Sequence, residues 1–342
     1  MNKHIMVLSI IAVFAVAAGV WLQYQDSALP VEKDFLFADL LDNAAQIEQI
    51  EINNSSGNVF NAQLKKGQWM AKVEDFGGSY PAEQRKLSEL LKSFTAARLV
   101  EAKTAKPNNY QYLGLQGLDE TDSLASLVSF ATQEKSWQVL VGNQTNIGIG
   151  NYVRLPKDRQ SWLIDQNIVL PTDQQSWLKQ PILPFEGSFL AKISRIDKQR
   201  WVFEKSSEDA EYVLSGLPSE RSLKYGSVLS AFANNIVQLN FEKLHNLQDD
   251  LWSKLATQVE LEIVTVDGMV FKLTVAEHDD KVYAKFRAEN QQAYWLDWIY
   301  QISSFSAQQL SKTKEDFLRD VNDASSENGS SASATDEGES PY

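Results

Sequence analysis

The chain has 342 residues, of which 43% are apolar and 11% aromatic, enough to build well-packed cores in one large domain or two ordinary ones. Its formal charge of −13 repels phosphate backbones, so no nucleic-acid partner is expected. It contains no cysteine, which excludes disulfides, thiolate nucleophiles, sulfur-ligated metals and a lipid-modified amino-terminal cysteine.

From Ile5 to Leu22 ("IMVLSIIAVFAVAAGVWL") no residue is charged. As a helix this stretch is roughly 27 Å long, close to the ~30 Å hydrocarbon core of a bilayer. Lys3 and His4 precede it, while Asp26, Glu32 and Asp34 follow. The positive-inside rule therefore predicts residues 1–4 in the cytoplasm, a single-pass anchor over 5–23 in the inner (cytoplasmic) membrane, and a body in the periplasm. The competing reading is a cleavable signal peptide with "AVA" at Ala15–Ala17 as its cleavage site. Apolar residues that continue through Val20, Trp21 and Leu22 favour the span.

Residues 24–35 read as a polar linker. Strand-like alternation then begins: Ile50 and Ile52, then Phe60, Ala62 and Leu64, then Trp69, Ala71 and Val73, separated by "NNSSGN" and "KKG", predict a three-stranded meander. Pro81 fits a first helical position, and Leu87, Leu90, Leu91 and Phe94 share one helix face. "NNYQYLGLQGLDET" reads as an ordered loop. "SLVSFAT", "SWQVLVG", "NYVRLP" and "SWLID" predict further strands before Pro171, Pro181 and Pro184 interrupt regular structure.

Beyond Pro184 the order repeats. Ile47-x-x-Ile50 is echoed by Ile193-x-x-Ile196, the Phe60 strand by Trp201 and Phe203, and Leu91-x-x-Phe94 by Leu229-x-x-Phe232, on a second helix predicted from near Pro218 with Tyr225 and Leu239 on its face. "VELEIVTVDG", "MVFKLTVAE" and "KVYAKFR" predict strands, with Asp267-Gly268 as a turn, and "YWLDWIYQISSFSAQQLSK" predicts a closing helix. The expected fold is thus α+β: two tandem similar units, 36–184 and 185–319, each a mainly antiparallel sheet covered by an amphipathic helix. Residues 320–342, rich in Ser, Gly, Asn and acidic side chains, predict a disordered tail.

No pattern points to catalysis. His245 and His278 lack partners at metal spacing, no G-x-S-x-G occurs, and "GNQTNIGIGN" (Gly142–Asn151) lacks the lysine and helix of a phosphate loop and reads as a β-turn segment. The cluster Glu277, His278, Asp279 and Asp280 falls at a hairpin turn. No catalytic, cofactor-binding or metal residues are therefore assigned, and no cofactor is expected. Trp162 and Trp177, in polar surroundings, are the tryptophans expected to be exposed, and the loop residues Tyr110, Tyr112, Leu113, Leu115 and Leu118 are the candidates for partner binding.

The single amino-terminal span, the "YQYLGLQGLD" loop and the "AEYVLSGLPSERSLKYGSVLSAF" block together resemble an uncharacterised bacterial domain-of-unknown-function family. Its members are membrane-anchored, periplasmic repeat proteins often encoded beside ABC transporters with GldG-like auxiliary components of the gliding-motility type. The resemblance covers about Leu36 to Leu310. It implies a non-catalytic accessory role beside an ABC-type transport system, with integral-membrane transporter components as partners and the membrane held through the amino-terminal helix. The alternative is an extracytoplasmic hydrolase or glycan-binding protein with a cleft between the two units.

Overall fold

The computed structural model describes residues 34–73, 77–247, 250–289 and 291–320. The expected anchor, most of the linker and the tail beyond Asp320 lie outside the described residues, among which no helix is long and apolar enough to cross a membrane. The described strands form two large antiparallel sheets with few helices, an α+β arrangement that is mostly sheet.

The first sheet holds β1 (Gln49–Asn54), β2 (Gly57–Lys65), β3 (Gln68–Val73), β4 (Gly78–Pro81), β5 (Leu99–Ala102), β6 (Ser126–Ala131), β7 (Ser136–Gln144), β8 (Asn151–Arg154) and β9 (Ser161–Ile164). The second holds β10 (Leu190–Arg195), β11 (Trp201–Glu204), β12 (Val213–Leu214), β13 (Lys243–Asn246), β14 (Ala256–Thr265), β15 (Val270–His278), β16 (Lys281–Ala288) and β17 (Trp298–Ile302). Helices α1 (Leu40–Asn43), α2 (Gln84–Ala96), α3 (Tyr110–Leu113), α4 (Val228–Val237) and α5 (Ser304–Leu310) connect or cover them.

Strand order is β4-β3-β2-β1-β6-β7-β8-β9-β5 in the first sheet and β12-β11-β10-β14-β15-β16-β17-β13 in the second. Counted from each sheet's own first strand, the two orders coincide once β4 is set aside. In both, a helix precedes the strand that ends the order: α2 comes before β5, and α4 before β13.

By tertiary contact the described residues form two compact units, one of 34–47 with 90–169, the other of 48–89 with 170–320. In the first, Val128 and Phe130 of β6, Val139 and Val141 of β7 and Val153 of β8 are buried on the face that receives Phe94 of α2, whose ring centroid lies 5.2 Å from that of Phe130. In the second, alternation sets the register: Leu261 pairs with Leu273, which pairs with Phe286, while Glu262, Lys272 and Arg287 form the adjacent row on the opposite face. Phe232 of α4 is buried edge-on against Trp201 and Phe203 of β11 and against Phe317, with centroids 5.1–6.0 Å apart. Tyr80 of β4 is buried in a second aromatic group with Phe241, Tyr294, Trp298 and Tyr300.

Three sequence expectations change. The segment read as one closing helix supplies β17 and the short α5, because Trp298, Ile299, Tyr300 and Ile302 are buried, and a short apolar run covered on both faces has no period that separates helix from strand. Pro81 ends β4, the terminal strand of its sheet, where its missing N–H costs no ladder bond, and α2 starts at Gln84. Helix α4 is confined to Val228–Val237, which leaves Tyr225 exposed and Pro218 ten residues before the helix.

An ion pair pins the carboxyl end of the described chain to the second sheet. Buried Arg195 of β10 donates from Nε to both carboxylate oxygens of Asp197 (3.0 and 2.8 Å) and from Nη1 to the carbonyls of Ser311 (2.7 Å) and Lys312 (3.0 Å). Burial pushes the Asp197 carboxyl up. The Gln199 backbone N–H, Arg195 and the Glu260 backbone N–H together outweigh burial and hold it below its ordinary value. A carboxyl lowered by folding stabilises the fold above its unfolded pKa, and that contribution is lost as pH falls through the folded value. Asp197→Asn is expected to lower stability by about 1.5–3 kcal/mol at neutral pH, the range for a hydrogen bond to a charged group. Urea unfolding should show the gap to the parent narrowing below the ordinary carboxylate range of about 4.

Candidate interaction surface

The five residues expected to bind a partner divide by burial. Tyr110 and Leu115 are interior, packed with Ala125 and Leu140 into a small core on the face of the first unit's sheet opposite Phe94, and Leu113 and Leu118 flank it half-buried. The Tyr110 hydroxyl donates to the Arg159 carbonyl at 2.6 Å, and the Arg154 guanidinium lies 4.4 Å from the ring centre while donating to the Leu115 carbonyl at 3.3 Å. These side chains cover the sheet. Tyr112, 73% exposed, is the member free to meet another molecule.

Tyr112 does not stand alone. Leu124 (69% exposed) lies two residues before β6, whose first residue pairs with Val141 near the end of β7. Ile147 (88%) and Ile149 (67%) form the tip of the β7–β8 connection, and Val169 (72%) follows β9. The start of β6, the end of β7, the start of β8 and the end of β9 lie at one end of this antiparallel array. The fold therefore gathers five large exposed apolar side chains at that end.

Hydrogen bonds fix this end. The buried Asn151 side chain donates from Nδ2 to the Gly142 carbonyl (3.1 Å) and accepts from the Ile168 N–H at Oδ1 (2.8 Å). The Gly150 N–H donates to Asn167 Oδ1 (2.9 Å), and the Thr145 N–H donates to the Gly150 carbonyl (2.9 Å). Two glycines are required by contact: a Cβ on Gly142 would lie 2.2 Å from the Leu113 carbonyl oxygen, and one on Gly150, which also has φ +137°, would lie 2.0 Å from that of Ile164. The first closeness brings α3, and with it Tyr112, against the end of β7.

Packing does not demand apolar residues at such a tip. The hairpin in the matching place of the second sheet, β15–β16, turns through Asp279 and Asp280, both at positive φ, with His278 Nε2 3.3 Å from the Asp279 carboxylate. It is the solvated charged turn expected from sequence. The signal for the apolar end lies in "NIGIGN", where two isoleucines interrupt a turn otherwise built of Asn and Gly.

The other candidates are dispersed. Trp177, expected to be exposed, is buried, stacked on Phe60 (centroids 5.2 Å apart) and donating to the Pro171 carbonyl at 3.1 Å, while Trp162 is half-buried on β9. His245 on β13 sits beside the Tyr283 ring, and His278 is at the end of β15. Among the described residues no group of three or more His, Asp or Glu side chains is placed to hold a metal ion.

Asn151→Ala would leave the Gly142 carbonyl and the Ile168 N–H without partners inside the fold, at a cost of about 1–3 kcal/mol for each group left buried. The expected outcome is faster hydrogen exchange confined to residues 142–150 and 166–169, read by mass spectrometry, with exchange across β14–β16 unchanged.

Neither a curated protein nor a solved structure matches the chain. A family described as a domain of unknown function, DUF4340, matches residues 75–251, more than half of its length. The match takes in α2, the five strands β5–β9, the whole apolar end and α4. On that extent, the chain is a member of the DUF4340 domain family.

Proposed function

We propose that the protein is a membrane-anchored periplasmic accessory component of an ABC-type transport system, which binds an integral-membrane partner and performs no catalysis. The uncharged stretch Ile5–Leu22, with Lys3 before it and Asp26 after it, supports the anchor and its orientation. The observation that carries the binding role is the end of the first unit's sheet, where Tyr112 and Leu124 are exposed beside a backbone tied by Asn151. Apolar side chains on a rigid platform bury area on association at little conformational cost.

The body is read as two tandem modules, 36–184 and 185–319. The coincident strand orders support this, as does the burial of Phe94 and Phe232, each on the helix between meander and remaining strands and each against a Phe of a strand, Phe130 or Phe203. Duplication leaves the second module's charged hairpin tip as an internal contrast to the apolar tip of the first.

A photo-crosslinking amino acid in place of Tyr112, activated in intact cells, is expected to capture an integral-membrane transporter component, and deleting the chain after Arg319 should leave that product unchanged. Recovery of no membrane protein, together with loss of function on substituting His245 or His278 in a folded protein, would favour a hydrolase instead.

A further inference from the structure

We infer that the part of the apolar end nearest β8 and β9, with Ile147, Ile149 and Val169, rests in the lipid interface of the membrane. The inference depends on the anchor reading above and assigns a lipid surface, not a protein, to these three side chains. The first support is the tether. Asp34–Leu36 runs antiparallel to Ala97–Leu99: the Leu99 N–H donates to the Asp34 carbonyl (2.8 Å), and the Leu36 N–H donates to the Ala97 carbonyl (2.9 Å). Leu99 pairs in turn with Ile164 of β9, which neighbours β8. The amino-terminal segment thus joins this sheet at its β5 edge, about 15 Å from Gly150 at three interstrand spacings. Only residues 23–33 separate Leu22 from Asp34, a reach of at most about 40 Å. A membrane-spanning Ile5–Leu22 would therefore hold this particular sheet close to the bilayer.

The tether brings both ends of the sheet within reach, and composition chooses between them. The opposite end presents the β6–β7 hairpin, with Glu134 and Lys135, and the β8–β9 connection, with Lys157, Asp158 and Arg159. Those side chains favour water, as do Asp119, Glu120 and Asp122, which precede β6 at the near end and confine the apolar contact to its β8–β9 side. The near end offers branched aliphatic side chains, and bonds through Thr145, Gly150, Asn151, Asn167 and Ile168 hold its loops in place, so that these side chains are presented without rearrangement of the backbone. Because the chain is strongly acidic, the contact must be apolar rather than electrostatic, and it should not need anionic lipid.

The absence of native cysteine makes the test clean. Full-length Ile147→Cys, Ile149→Cys and Val169→Cys variants, each labelled with an environment-sensitive fluorophore, are reconstituted in phosphatidylcholine vesicles containing doxyl-labelled lipid, with Glu134→Cys as the reference. The expected result is blue-shifted emission and quenching several-fold stronger at the three apolar positions than at the reference, unchanged by added phosphatidylglycerol. Quenching equal to the reference while the protein still floats with the vesicles would overturn the lipid contact and leave the anchor standing. A blue shift without quenching would mean that protein covers the site, and would overturn it too. Failure to float would overturn both readings.

Discussion

An antiparallel sheet exposes a surface that water disfavours unless its apolar faces are covered, whereas a polar face can meet solvent. Most of this molecule is a response to that constraint. In the first unit α2 covers one face through Phe94, and the Tyr110–Leu115 segment covers the other through Leu140 and its neighbours. In the second sheet α4 covers one face through Phe232, while on the other Lys285 of β16 is buried beneath Trp252, its ammonium 4.9 Å from the ring centre. Burial, followed by the charge of Arg287, pushes that lysine's pKa down. Once the apolar faces are covered, what remains for the sequence to vary is the solvated rows and the ends.

The ends are where the two sheets part company. They share a strand order, and at matching hairpin tips one carries Ile147 and Ile149 while the other carries Asp279 and Asp280. The two connections also differ in length, Thr145–Gly150 against Asp279–Asp280. Asn151 holds the apolar end through two hydrogen bonds, and Gly142 and Gly150 admit backbone approaches that any side chain would block.

Period-two alternation was legible wherever one face meets the core and the other does not, as in Val259, Leu261 and Ile263 or Phe271, Leu273 and Val275. The helix faces were legible for the same reason, and Phe94 and Phe232 are both buried. Legibility failed where both faces are buried, since Trp298–Ile302 carries no period to read. It failed again where long-range cover decides exposure: nothing local tells Trp177 that Phe60 lies across from it, or Tyr110 that Arg154 will. Of the apolar end, only Tyr112 belongs to the loop that the sequence marks for partner binding. Leu124, Ile147, Ile149 and Val169 are far apart in sequence, and the strand pairing alone brings them together.

The central claim is that this one end of the first unit's sheet meets the membrane and the partner held within it. Hydrogen–deuterium exchange of the full chain, in lipid nanodiscs and in an amphipathic polymer that supplies no bilayer plane, tests it most directly. The account predicts that residues 145–150 and 166–169 are protected by the bilayer while the opposite hairpin, 132–135, exchanges equally in both. Equal exchange at both ends in both settings, or protection at 132–135 instead, would contradict it.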